Sequence, residues 1–165
     1  MLLETERLEL RRLGVDDARF VLRLVNEPSF RDNIGDKGLR TLEDAKRFLR
    51  EGYWTRQSKP GYGQFLVELK SDGAATGVCG LLYREQWDVS DIGFAFLPQY
   101  WGRGLALEAA SAVLRYASEE LGVEKVVGLT TKDNLPSIRV LEKLGMTHET
   151  TLETTAGGPD TEVYS

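Results

Sequence analysis

One cysteine, Cys79, and one histidine, His148, stand in a chain of 165 residues. A single thiol excludes an internal disulfide, and the two residues together fall short of the four-ligand set of a structural zinc site, so no metal is expected. Cys79 lies inside the apolar run Gly77-Val78-Cys79-Gly80-Leu81-Leu82, a core setting for a thiol, and His148 opens a strand beyond the last helix. Neither is a candidate for chemistry. No apolar run approaches the roughly 20 residues of a membrane-spanning helix. The opening residues Met1-Leu2-Leu3-Glu4-Thr5-Glu6-Arg7 lack the basic and apolar blocks of a secretory leader. A cytoplasmic location with no membrane partner is expected. Positive charge is not in excess: 21 Lys and Arg stand against 26 Asp and Glu, a net charge of −5. Bulk electrostatics therefore exclude a nonspecific nucleic-acid surface, no DNA partner is expected, and cationic ligands are tolerated.

What is present suits one globular unit. Hydrophobic residues make up 41% and charged residues 28%, enough to exclude disorder. The length supports one substantial core and not two, so residues 1–165 are read as a single domain.

Leu8 and Leu10 alternate with Glu9 and Arg11 in a first strand. Asp16 is then placed to cap a helix running to about Val25, broken at Asn26-Glu27-Pro28. Ile34-Gly35-Asp36-Lys37-Gly38 is a loop, either a substrate-side lid or a simple connection. Thr41 with Asp44 forms a capping box, and Ala45, Phe48, Leu49 and Tyr53 give the next helix an inward stripe. Gln64 to Lys70, with Phe65, Val67 and Leu69 on one face, turns at Ser71-Asp72-Gly73 and returns as Thr76 to Tyr83. Asp91 to Leu97 is a third antiparallel strand, and Lys125 to Thr131, reached through a long helix, pairs parallel by a right-handed crossover. Asn134-Leu135-Pro136-Ser137 opens a helix that ends at Gly145, and strands at Thr147 to Thr155 and Thr161 to Ser165 flank a turn from Ala156 to Asp160. The fold class is α+β, a mixed, mostly antiparallel central sheet flanked by helices.

The sharpest local signal is Gln99-Tyr100-Trp101-Gly102-Arg103-Gly104-Leu105-Ala106, two glycines where a strand stopped by Pro98 gives way to an amphipathic helix. The first turn of a helix has N–H groups without intrahelical partners and about half a positive charge. Glycines let a phosphate approach that backbone without meeting a Cβ. The pair alone fits any turn as well; its flanks favour the anion site. Gly93, inside the preceding strand, marks a bulge, a close approach or a packing glycine.

Read together, the order of elements and Q-x-x-G-x-G resemble the GCN5-related N-acetyltransferase (GNAT) superfamily, whose motif is written Q/R-x-x-G-x-G/A. Thr5-Glu6-Arg7-Leu8, Tyr100-Trp101-Gly102-Arg103-Gly104 and Asn134-x-x-Ser137-x-Arg139-Val140-Leu141-Glu142-Lys143-Leu144-Gly145 resemble its RimJ/RimL-like branch more narrowly. The resemblance implies transfer of an acetyl group from acetyl-coenzyme A to a primary amine by direct attack, without a protein nucleophile or a metal. It implies that the N–H groups of Gly102, Arg103, Gly104, Leu105 and Ala106 hold the pyrophosphate. It also implies that backbone groups near Phe96 and Leu97 meet the pantetheine amides and that Asn134 adds a hydrogen bond.

Asp91 is the first candidate base, through water, with Glu85 behind it; a solvated strand-end aspartate is the plain alternative. Many members carry a tyrosine where this chain has Leu141, so Ser137 becomes the candidate proton donor, unless it only caps its helix, and Tyr164 is a distant second. The acceptor implied by the branch is a protein N-terminal α-amine. A small polyamine, amino acid or aminoglycoside-like amine is the alternative, and a noncatalytic acyl-coenzyme A-binding module stands outside both. The resemblance also allows a homodimer, with an apolar C-terminal hairpin as a candidate edge.

Overall fold

The structure, a computed structural model, describes residues 2–154 and 157–165. Met1, Thr155 and Ala156 lie outside the described residues, and with them the end of the expected strand from Thr147 and the start of the turn at Ala156. Among the described residues the elements run β1 (Leu2–Glu4), β2 (Leu8–Arg12), α1 (Ala18–Val25), α2 (Pro28–Asn33), α3 (Leu42–Glu51), β3 (Gly63–Leu69), β4 (Ala75–Arg84), β5 (Val89–Phe96), α4 (Leu105–Glu119), β6 (Val126–Thr130), α5 (Leu135–Lys143), β7 (His148–Leu152) and β8 (Thr161–Tyr164). The strands form one order, β1-β2-β3-β4-β5-β6-β8-β7, antiparallel throughout except for β5 with β6. This is the mixed α/β architecture expected from the sequence.

Helices cover both faces. α4 lays Leu105, Ala109, Val113, Tyr116 and Ala117 on Phe65, Val67, Cys79 and Leu81. Its alanines let it lie close to the sheet. On the other face α1 and α3 set Val21, Leu24, Ala45 and Leu49 against Leu66 and Val78. β3 is therefore buried on both sides, and its one-faced alternation in sequence gives way to a run in which Phe65, Leu66 and Val67 are all enclosed.

Five local expectations change. β1 was not anticipated, since three residues carry too little pattern, and α2 was not anticipated because Pro28, besides ending α1, occupies the first turn of a new helix. Asp16 does not cap α1. A 3-10 turn at Val15–Asp17 intervenes, and it is Asp17 whose carboxylate accepts from the Gly14 N–H at 2.7 Å and from Arg11 at 2.8 and 3.0 Å. The Thr41–Asp44 capping box forms as expected, but Gly52 ends α3 with φ 78°, turning the chain off the helical stripe. Tyr53 is left 62% exposed, stacked on Phe48, instead of pointing inward. Finally, the free edge β7 presents His148, Glu149, Thr150 and Thr151 to solvent, a polar edge and not the apolar one expected.

Candidate active site

β5 and β6 pair in parallel at Ser90–Val126 and Asp91–Val127, and there the pairing stops. Beyond that point β6 continues against β8 on its other side, and β5 from Ile92 onward has no partner facing β6. Strands that part in this way leave backbone polar groups seeking a partner. An open cleft of about 1330 Å³ runs through the fork. It is bounded by the starts of α4 and α5 at one end and by α2, α3 and the 34–39 segment at the other.

Asp91 sits at the apex of the fork. Its Oδ2 accepts from Arg84 Nε at 2.9 Å and Nη2 at 2.7 Å, and its Oδ1 accepts from the Leu129 N–H at 3.3 Å. The carboxylate thus takes the place of the β5 carbonyl that a continued ladder would have offered to β6. Only 2% of Asp91 is exposed, and burial pushes its pKa up to about 6 against the opposing pull of Arg84. The solvated aspartate considered from sequence is not what the fold provides.

At the donor end, Gly102 has φ 71° and Gly104, which caps α4, has φ 76°. A Cβ on Gly102 would meet nothing within 4 Å. The N–H groups of Gly102, Arg103, Gly104, Leu105 and Ala106 donate no backbone hydrogen bond, while the Glu108 N–H is the first to do so, at 3.1 Å to Gly104. Five such donors at a helix start, with room beside Gly102, have the chemistry of an anion cradle. Arg103 is exposed, with its guanidinium 5.7 Å from the Tyr100 ring.

The loop is held from behind. Arg7 donates to the Arg103 carbonyl at 2.9 Å and to Glu108 at 2.7 Å, and Glu108 also accepts from the Arg7 N–H at 2.9 Å and the Thr5 hydroxyl at 2.5 Å. Thr5-Glu6-Arg7 is therefore a clamp. It also neutralises Glu108, whose charge in the first turn of α4 would otherwise oppose an anion at the helix start.

Most of the backbone groups at Phe96 and Leu97 are already engaged, the Phe96 N–H excepted. The Phe96 carbonyl accepts from the Trp101 indole at 2.9 Å, and the Leu97 N–H donates to Thr76 at 2.9 Å. The stretch of β5 unpaired toward β6 runs from Ile92 to Phe96. Across the cleft, Asn134 caps α5, its side chain accepting from the Ser137 N–H at 3.4 Å. Ser137 is thus the capped residue and not the cap, and both half-buried side chains line the cleft. Leu141 is buried over Gly128, whose position a Cβ could not share. Tyr164 is in the core against His148, Glu85 is exposed in the β4–β5 turn, and neither lines the cleft. Cys79 is fully buried, and burial raises its thiol pKa far above the ordinary range.

Two cleft residues escaped the sequence. Gln64 Oε1 and Thr130 Oγ1 are buried, line the cleft and have no hydrogen-bond partner among the described residues. Nothing in a single apolar strand distinguishes them; only the register of neighbouring strands does. Gly93 lies in an unbroken register with β4, so it is not a bulge, and it makes the close approach, since a Cβ there would stand 2.8 Å from Gln64 Nε2. Among the described residues no cluster of His, Cys, Asp and Glu is arranged to hold a metal.

The acetyltransferase (GNAT) domain family matches residues 7–147. The chain is a GNAT acetyltransferase. It belongs to a family that uses acetyl-coenzyme A, and it is an acyltransferase by that membership. It is 32% identical to the Bacillus subtilis (strain 168) protein YkkB over 155 residues, covering 91% of this chain and 87% of that one. The solved GNAT acetyltransferase from Bacillus anthracis superposes with a TM-score of 0.82 at 27% identity, over 99% of this chain and 96% of the other. RimL, the ribosomal L7/L12 α-N-protein acetyltransferase solved with coenzyme A, shares the fold, with a TM-score of 0.79 at 16% identity over 99% and 96% of the two chains. Against this GNAT frame, the fork and the cradle are the two features of the cleft built from backbone.

Proposed function

We propose that this GNAT enzyme, a cytoplasmic, single-domain member of the RimJ/RimL-like branch, moves the acetyl group of acetyl-coenzyme A to a primary amine by direct attack. The observation that carries the reading is the alignment of one cleft with both a parted pair of strands and five unpartnered N–H groups at the start of α4. The residues fit the coenzyme. Gly102 to Ala106 would hold its pyrophosphate, the unpaired edge of β5 from Ile92 would meet its amides, and Asn134 and the orphaned Thr130 hydroxyl would border its arm. Bound there, it supplies an acetyl thioester.

The chain supplies proton handling. Asp91 Oδ1, with one long hydrogen bond and a pKa lifted to about 6, is suited to accept a proton from the amine through water near neutral pH. Ser137 Oγ is the hydroxyl on the facing wall and the proposed donor. Leu141, packed into the core, plays no part in either transfer.

Calorimetry with acetyl-coenzyme A tests the donor site. Gly104→Glu puts bulk and negative charge into the cradle and is expected to weaken binding by on the order of 100-fold or more. Equal affinity in the two proteins would overturn the assignment.

A further inference from the structure

Gln64, Gly80 and Gly93 lie side by side across β3, β4 and β5, paired Gln64–Gly80 and Gly80–Gly93. Residues directly opposite one another in adjacent strands share a face of the sheet. The two glycines form a trough on that face, and the Gln64 side chain lies along it until its Nε2 reaches the place a Gly93 Cβ would occupy. The same face of β5 carries Asp91, two residues before Gly93. An amide is thus brought beneath β4 to the strand that forms one arm of the fork. It is 94% buried by its 6% exposure, and its Oε1 has no partner among the described residues. Buried acceptors without donors are rare and costly, and they collect where a ligand completes them.

The surroundings describe that ligand. The Gln64 N–H donates to the Trp54 carbonyl at 2.6 Å, which ties it to an aromatic wall. Trp54 packs edge-on to Phe48 at 5.3 Å and near Phe30 at 6.2 Å, and Trp87, 41% exposed, lines the cleft from the β4–β5 turn. Charge argues in the same direction. The carboxylates lining the cleft are Asp44, Glu51 and Asp91, and two of these are occupied by Arg47 and Arg84. Nothing there matches a chain of ammonium groups, while Lys37 and Arg84 favour the neutral, nucleophilic form of a single amine. A peptide would bring several amides, whereas the β3–β5 side of the cleft offers one buried unpartnered oxygen among the described residues, Gln64 Oε1, the other, Thr130 Oγ1, lying on β6.

We propose that Gln64 binds and orients the acceptor through Oε1, and that the acceptor is a small primary amine on an aromatic or bulky apolar body held by Phe30, Phe48, Trp54 and Trp87. The proposal rests on the cleft being the acetyl-transfer site. It is tested by thiol release from acetyl-coenzyme A with 2-phenylethylamine, spermidine and a short peptide with a free N-terminus, alongside calorimetry of the coenzyme alone. The arylalkylamine should have the highest kcat/KM. Gln64→Leu should raise its KM about tenfold, with the KM for acetyl-coenzyme A changed less than about twofold and the melting temperature no lower. Gly93→Ala, which displaces the amide without removing it, should shift the amine KM the same way and serves if Gln64→Leu does not fold.

An unchanged amine KM in both variants overturns the role of Gln64. Preference for spermidine or the peptide overturns the acceptor class, as does coenzyme binding with no acetylation of any amine. Failure to bind acetyl-coenzyme A at all would instead overturn the donor site on which the proposal rests.

Discussion

Gly102 and Gly104, at the donor end of the cleft, have nothing closer to a Cβ position than the Arg7 Nη2, 3.5 Å from Gly104, whereas Gly80 and Gly93, at the acceptor end, are pressed against their neighbours. A Cβ on Gly102 meets nothing within 4 Å, but one on Gly80 would fall 2.0 Å from the Gly63 carbonyl oxygen and 2.7 Å from the Gln64 Cα. The first pair keeps a ligand's path clear and lets the chain turn with positive φ; the second lets strands and a buried amide fit together. The donor end is therefore a backbone device held by one clamp, and the acceptor end is a packing device made from side chains of several elements. Damage to the two should look different.

The largest effect is expected at Gly80. Its hypothetical Cβ strikes backbone on β3, which cannot move without breaking the sheet between its two cores, so Gly80→Ala should lose on the order of 4 kcal/mol or more and with it cooperative unfolding. Thermal or urea unfolding measures it. A stable Gly80→Ala protein would mean that the acceptor end is looser than the packing indicates. The comparison would then break, since a methyl group would find room at both ends, resisted at Gly102 and Gly104 only by their positive φ.

The same contrast explains what could be read from the chain. Gly102 and Gly104 stand beside a strand end and a helix start in the sequence itself, so the loop proposed as the cradle can be located from a few consecutive residues. The parallel pairing of β5 with β6 was legible too, because a strand, a long helix and a strand admit one common handedness. Gln64 was not. Its role depends on a register that joins β3, β4 and β5, and on Trp54 approaching from the segment after α3, none of which a local pattern encodes. Thr5 and Arg7 occupy an intermediate place: they carried the family resemblance, but their work, holding the Arg103 carbonyl and Glu108, is visible only once β2 lies beside α4. Asp91 was picked out from its position at a strand start, while its burial and its bond to Leu129 required the fork.

Asp91 lies where the two ends meet, and pH provides a measure of its burial. Its folded pKa of about 6 is above the ordinary value of 3.8, so between these values the folded protein binds more protons than the unfolded chain. The contribution of Asp91 to stability is then most favourable below about pH 4 and falls as pH rises through 6. Asp91→Asn does not titrate there. Measured by urea unfolding, its stability relative to the parent should rise by about 3 kcal/mol at most between pH 4 and pH 7. A parallel pH dependence in the two proteins would show that Asp91 is solvated in solution, and the fork more open than described.

The smallest effect sharpens the donor side. Arg7 is 46% exposed in its side chain, so its ion pair with Glu108 contributes about 1 kcal/mol or less to stability. Its hydrogen bond to the Arg103 carbonyl, however, fixes the loop between the two cradle glycines, and its charge offsets Glu108 near a bound phosphate. Arg7→Ala should therefore barely move the melting temperature yet raise the KM for acetyl-coenzyme A about three- to tenfold, with the amine KM unchanged. Arg7→Lys restores the charge but not the bond to the carbonyl. If it recovers the parent KM, Arg7 acts by charge alone; if it does not, the clamp acts by fixing the backbone, as a device made of N–H groups requires.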